Sequence, residues 1–325
     1  MSTVPPVAVV SVPVEASVAV PKPRPPFLFV GIGVGILVLA AGIAGAWYLY
    51  SQNNFFGNLP KGAEIDVVQG IVSAGEVFAL EESDTLARVE SPLAGMQVMD
   101  KVEDGAITYY LLGDPTTLTS DIYRESEGVV TKVTNSATLK FDLTFDPVSK
   151  SFAYLSGKVA STTLTTFATT KWNLTVFSEA NGERALEGTG REPALLPGGH
   201  QLLVGDADNI AIVNTSTGQR RVLLTAASTA PFAVTSDGKT LALFNRTTGA
   251  LDYFTLAGMS ASYERSVKVT GLPTALAFAG AKKLIMVTST EDRSAQHFSV
   301  VGGKALEVPN PVAGLVSQKI IISYE

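Results

Sequence analysis

The chain has 325 residues, 46% hydrophobic and 17% charged, with a formal net charge of −6 and no cysteine. The missing cysteines exclude a disulfide scaffold, thiolate chemistry and Cys-based zinc sites. The acidic balance argues against a nucleic-acid surface: Lys22, Arg24 and Glu15 contribute a net +1 to residues 1–50, so the remainder carries −7.

Residues 1–26 mix Val, Ala and Pro with no helical or strand period. The prolines remove backbone donors and favour extended conformations, so this segment reads as a disordered tail. Residues 27–50 (FLFVGIGVGILVLAAGIAGAWYLY) are one apolar run, and no charged residue occurs from Pro25 to Pro60. About 20 helical residues cross a hydrocarbon core of roughly 30 Å, so the run predicts one transmembrane helix in contact with the lipid bilayer. Ala44-Gly45-Ala46 offers a cleaved signal peptide as the alternative, but the run exceeds a typical signal core of roughly 7–15 residues. Trp47, Tyr48 and Tyr50 stand at its far end, where an interfacial aromatic belt belongs. Gly31 with Gly35, and Gly42 with Ala46, are small residues four apart, the pattern of a close helix–helix approach and hence of a homo-oligomer through the span. Lys22 and Arg24 precede the span and only Lys61 closely follows it, which predicts a cytoplasmic N-terminus and an exterior C-terminal domain. An exterior domain of this size without disulfides points to a bacterial or archaeal cell envelope.

Residues 51–61 read as a short polar linker, and residues 62–325 as an all-β domain of apolar strands broken by Gly, Asp, Asn and Pro turns. Asn181-Gly182 between two apolar runs predicts a two-residue hairpin of type I′. Four segments share the grammar of strand, tight turn, strand: LTFDPVSKSFAYLS, PALLPGGHQLLVG, FAVTSDGKTLALF and LAFAGAKKLIMVT. Their second-strand anchors Phe152, Leu202, Leu241 and Leu284 are spaced 50, 39 and 43 apart; Ile107 lies 45 before the first and Ile320 36 after the last. Periods of about 40–45 with four strands each are the signature of a β-propeller. Six blades account for the repeats, and seven if residues 157–170 contain another strand pair. The chain ends with two strands, GLV and KIIISYE, so EVFALEE and TLARVE near residues 76–90 are expected to complete the last blade. Such closure removes an exposed sheet edge.

The turns FDPVSK, LLPGGH and VTSDGK resemble the F-S-P-D-G-K element of WD40-like (PD40) repeats in TolB-type propellers. The resemblance is clear from about residue 140 to 290 and rests on spacing elsewhere; only Asp237-Gly238-Lys239 keeps the D-G-K core, and no WD dipeptide occurs. It implies a propeller, an envelope location and protein partners. It does not imply the helical N-terminal domain of TolB-type proteins, which has no counterpart here.

No nucleophile, zinc or phosphate-loop motif is present, so the expectation is a protein without catalytic residues or cofactor. His200 falls at a turn and His297 within a strand, neither in a spaced partner motif. Asp206 and Asp208 are the best candidates for a cation, but the segment lacks the Gly and Glu of an EF-hand loop and already serves as a turn. The acidic pairs Glu81-Glu82 and Glu125-Ser-Glu127 read as solvated hairpin residues. The sequence therefore predicts a membrane-anchored exterior propeller that acts as a protein-interaction scaffold for other envelope or membrane proteins. A hydrolase or lyase with its site in the propeller channel is the alternative, because residues from several blades can meet there without any sequence motif.

Overall fold

The computed structural model describes residues 68–322, apart from 162–169, 189, 207 and 226–230. The tail, the apolar run with its aromatic end and small-residue face, and the linker lie outside the described residues. Among the described residues no helix is long and apolar enough to cross a membrane.

Six four-stranded antiparallel sheets make up the domain. Blades 1 to 5 follow chain order, with first strands Gln97–Asp104, Leu139–Asp146, Arg191–Leu195, Phe232–Val234 and Pro273–Ala279. Blade 6 joins both ends of the domain: its first strand is Lys319–Ile322, and Val68–Ser73, Glu76–Leu80 and Leu86–Arg88 follow outward. First strands pack against one another at the junctions of blades 1 and 2, 2 and 3, 4 and 5, 5 and 6, and 6 and 1, so they form the wall of a central channel. All six run in the same direction along it, because each begins an antiparallel meander.

Burial follows the strand order. The second strand of blade 2, SFAYLSG, is buried on both faces, since blades flank its sheet on either side. The outer strand of blade 4, SASYERSVK, is almost wholly exposed and carries the charges that discourage edge-to-edge pairing. Apolar layers fill the spaces between blades: Leu111, Ile122, Phe145 and Phe152 between blades 1 and 2, and Leu203, Ile212, Leu241 and Leu243 between blades 3 and 4. The anchors Phe152, Leu202, Leu241 and Leu284 all belong to these layers, each at most 2% exposed. Burying one such side chain contributes about 1.5–3 kcal/mol.

The repeat turns interlock where the first strands end. In blade 4 the Asp237 carboxylate accepts bonds from the Thr235 hydroxyl (2.6 Å) and the Lys239 amide (3.0 Å), and Gly238 adopts φ +70°. A Cβ at Gly238 would stand 2.7 Å from Pro197 of blade 3, and one at Gly199 of blade 3 would stand 2.4 Å from the Ser149 hydroxyl of blade 2. Glycine is required at these positions both for the left-handed backbone and for the close approach.

Two details differ from expectation. Blade 6 takes one strand from the C-terminal end and three from the N-terminal end, not two and two: Gly314–Val316 is not a strand, and Val68–Ser73 takes the second position. Ile320 consequently lies on a channel-wall strand while the other anchors lie on second strands, which accounts for its short spacing. The hairpin at Asn181-Gly182 has a three-residue loop, with Ser178 paired to Gly182 and positive φ at Gly182 but not at Asn181. The count of six agrees with the repeats: among the described residues six sheets close the ring, and residues 158–161 and 170–172 hold no strand.

Candidate functional site

The channel wall carries a carboxylate on the first strand of each of blades 1, 2 and 3: Asp100, Asp142 and Glu192. Each strand shifts register there, between Val98 and Asp100, Phe141 and Thr144, and Arg191 and Ala194. Asp142 and Glu192 adopt left-handed backbone conformations, φ 55° and 50°. A bulge of this kind re-aims a side chain, and here each carboxylate reaches the first strand of the next blade. Asp100 Oδ2 accepts the Leu143 amide at 3.0 Å. The Glu192 backbone faces the Asp142 carboxylate, and the Phe232 backbone faces the Glu192 carboxylate. The Asp100 rung thus bonds blade 1 to blade 2, and Asp142 and Glu192 occupy the equivalent rung positions toward blades 3 and 4.

The rungs differ in electrostatics. Asp100 is 2% exposed and holds Lys319 Nζ at 2.8 Å from both oxygens. Lys319 opens the closing strand of blade 6 and also donates to the Leu143 carbonyl, so one ammonium ties blades 6, 1 and 2. For Asp142, desolvation and then the like charge of Asp100 push the pKa up to about 6, against Lys319, the Glu192 amide and Arg191. For Glu192, desolvation and then Asp142 push it up to about 7, against Arg191, the Phe232 amide and Arg246. Glu192 is exposed and Asp142 half-exposed, so solvent screens both groups and weakens each shift. The upward direction follows from desolvation and from the like charge.

Beyond the rungs, toward the ends of the first strands, the channel opens into a cavity of about 600 Å³ bordered by blades 2 to 6. Phe145, Phe232, Phe278 and Ile322 line it, with Pro197 and Val148 among the bordering residues. Val148 is 72% exposed. Thr144 and Ala194 also line it, each two residues from a rung carboxylate.

The residues singled out in the sequence lie elsewhere. Asp206 pairs with Arg220 at 2.9 Å, and Asp208 is exposed in the turn joining two strands of blade 3. Among the described residues no group of three metal-ligating side chains forms around them or anywhere else. His200 borders a groove between blades 2 and 3, and His297 lies across from Glu307 on neighbouring strands, 3.1 Å apart. Glu81 accepts the Thr85 hydroxyl, and Glu125 accepts the Tyr110 hydroxyl at 2.9 Å. No sequence motif marks the rung carboxylates: each stands in a separate strand, outside any spaced pattern of acids and bases. A signal existed in the repeat alignment: Asp142 and Glu192 each stand ten residues before their second-strand anchors Phe152 and Leu202.

A second buried charge cluster serves the interface of blades 1 and 2. Lys140, fully buried, places its ammonium protons on Asp121 Oδ1 (2.8 Å), the Ser120 carbonyl (2.6 Å) and the Ser136 hydroxyl (2.7 Å). With its donors satisfied it acts as a staple between blades.

No protein-family model matches the chain, and no curated protein sequence matches it. Solved structures resemble it in fold. A chain of the nidogen/laminin complex superposes with a TM-score of 0.52 at 13% identity, over 78% of this chain and 97% of that one. TolB from Acinetobacter baumannii superposes with a TM-score of 0.55 at 14% identity, over 78% of this chain but 65% of TolB. An oligogalacturonate lyase in complex with manganese reaches 0.50 at 10% identity, over 72% and 70%. At these identities the likeness is one of fold.

Proposed function

We propose that the chain is a membrane-anchored exterior propeller serving as a protein-interaction scaffold in the cell envelope, with the channel mouth as its binding surface. The observation that carries this reading is the mouth itself: an apolar concavity built by five blades, with Val148 largely exposed beside it. Concave apolar sites framed by a few polar groups are where ligands and partner segments bind. The TolB-like architecture and the occurrence of a similar propeller in the nidogen/laminin complex support a protein partner. The uncharged run at residues 27–50 supports the anchor, and Lys22 and Arg24 support the exterior placement. Photo-crosslinking in intact membranes tests it. A crosslinker at position 148 is expected to capture a defined partner that one at Tyr263, on the outer strand of blade 4, does not. Capture from both positions alike, or from neither, contradicts the reading.

One observation favours a channel enzyme instead. Asp142 and Glu192 are neighbouring carboxylates whose raised pKa values of about 6 and 7 suit a general acid or base near neutral pH. In that reading the protein is an envelope hydrolase or lyase. It predicts turnover of an envelope glycan or peptide that Glu192→Gln abolishes; absence of turnover across acidic glycans and peptidoglycan fragments removes it.

A further inference from the structure

The channel mouth is apolar at its floor and cationic at its rim. Phe145, Phe232 and Phe278 are at most 9% exposed, so they form the bottom of a recess rather than a protruding surface. The cavity of about 600 Å³ falls within the usual range of ligand pockets, roughly 300–1,000 Å³. Its bordering charges are Asp146, Lys283 and Lys319. Lys319 is engaged by Asp100. The oxygens of Asp146 already accept the Val148, Ser149 and Gly198 amides and the Ser149 hydroxyl, at 2.5–3.2 Å. Lys283 and its neighbour Lys282 are exposed, and among the described residues neither has an ion-pair partner. On the adjoining turn of blade 4 the Lys239 side chain is 76% exposed and stands 3.9 Å from Asp237. One Asp237 oxygen is in turn occupied by the Thr235 hydroxyl and the Lys239 amide. The rim therefore offers ammonium donors in excess of acceptors.

We propose that the mouth takes a segment of a partner protein whose apolar side chains enter the recess and whose Asp or Glu carboxylates meet Lys282 and Lys283. This rests on the reading of the mouth as a protein-binding surface and adds the chemistry of what binds there. Burial of apolar surface supplies the driving force. The rim supplies selection: a basic segment meets unpaired like charge, whereas an acidic one finds its counterions, and such complementarity steers encounter and suppresses wrong partners. An anionic bilayer would satisfy the lysines but leave the recess empty, because the aromatic side chains lie at its floor. A concave apolar floor with a cationic edge fits a peptide segment instead.

A photo-crosslinker at position 148 of the full chain in intact membranes, with mass spectrometry of the crosslinked peptide, identifies the segment seated in the mouth. That segment is expected to hold apolar residues beside Asp or Glu. A synthetic peptide of it should bind the full chain in detergent, as read by fluorescence anisotropy. Binding is expected to weaken about tenfold when the peptide carboxylates are replaced by amides, and likewise in Lys282→Glu/Lys283→Glu. The amide peptide uses the native protein, so the test does not depend on the variant folding. A captured segment without carboxylates, or binding unchanged by both substitutions, overturns the proposal and leaves the mouth as a protein site of other chemistry. Adducts to phospholipid, to a second copy or within the chain itself also overturn it. No adduct at all removes the mouth reading and this inference with it.

Discussion

Lys319 shows how much one side chain can hold. Its ammonium neutralises Asp100, which is 2% exposed, and bonds the Leu143 carbonyl two blades away around the ring. Removing one member of a buried ion pair leaves a charge without compensation and typically costs about 3–5 kcal/mol. Lys319→Met is therefore expected to lower the unfolding midpoint sharply, and Asp100→Asn added to it should recover part of the loss. Urea titration of the three proteins measures this; a single variant as stable as the native protein would show that the pair adds nothing to closure. The residue scale is also where the sequence was least legible. Asp142 and Glu192 owe their pKa values to a channel assembled from several blades, and nothing within a few residues of either announces that setting. The Asn181-Gly182 turn failed for a related reason: the pair tolerates positive φ at both positions, but the strand register uses it only at Gly182.

At the level of strands the sequence was far more informative. Apolar alternation, the turn residues and the spacing of Phe152, Leu202, Leu241 and Leu284 reflect local chemistry repeated in every blade, and they locate the second strands of blades 2 to 5. Closure was legible in kind but not in count. A single C-terminal strand suffices because Val68–Ser73, with the ladder pairs Ile71 to Ile320 and Val72 to Lys319, takes the adjacent position. The seam is reinforced by the Gln318 amide on the Val72 carbonyl (2.8 Å) and the Ser73 hydroxyl on the Val316 carbonyl (2.8 Å). Ile320 and Ile321 are 4% and 3% exposed. Loss of each from a packed core costs about 2–5 kcal/mol, against a typical domain stability of about 5–15 kcal/mol. Deleting Lys319–Glu325 should thus leave a chain that unfolds or aggregates at ambient temperature. Circular dichroism melting checks it; a cooperative transition at the native temperature would mean that the ring does not depend on this strand.

In the molecule as a whole, a propeller follows an uncharged 24-residue run long enough to span a bilayer. The ring supplies a rigid body: apolar layers between blades, a lysine staple between blades 1 and 2, and a closed sixth blade leave the outer strands exposed as edges and the channel mouth as a concave surface. In the proposed function such a body presents its channel mouth outside the membrane, and the side on which it stands decides that proposal. Protease added to intact spheroplasts tests it most directly. In the proposed orientation, residues beyond about 60 are expected to be digested while an epitope placed within residues 1–26 survives until the membrane is breached. Protection of the propeller in intact spheroplasts, with digestion only after lysis, would place it in the cytoplasm and contradict the envelope role.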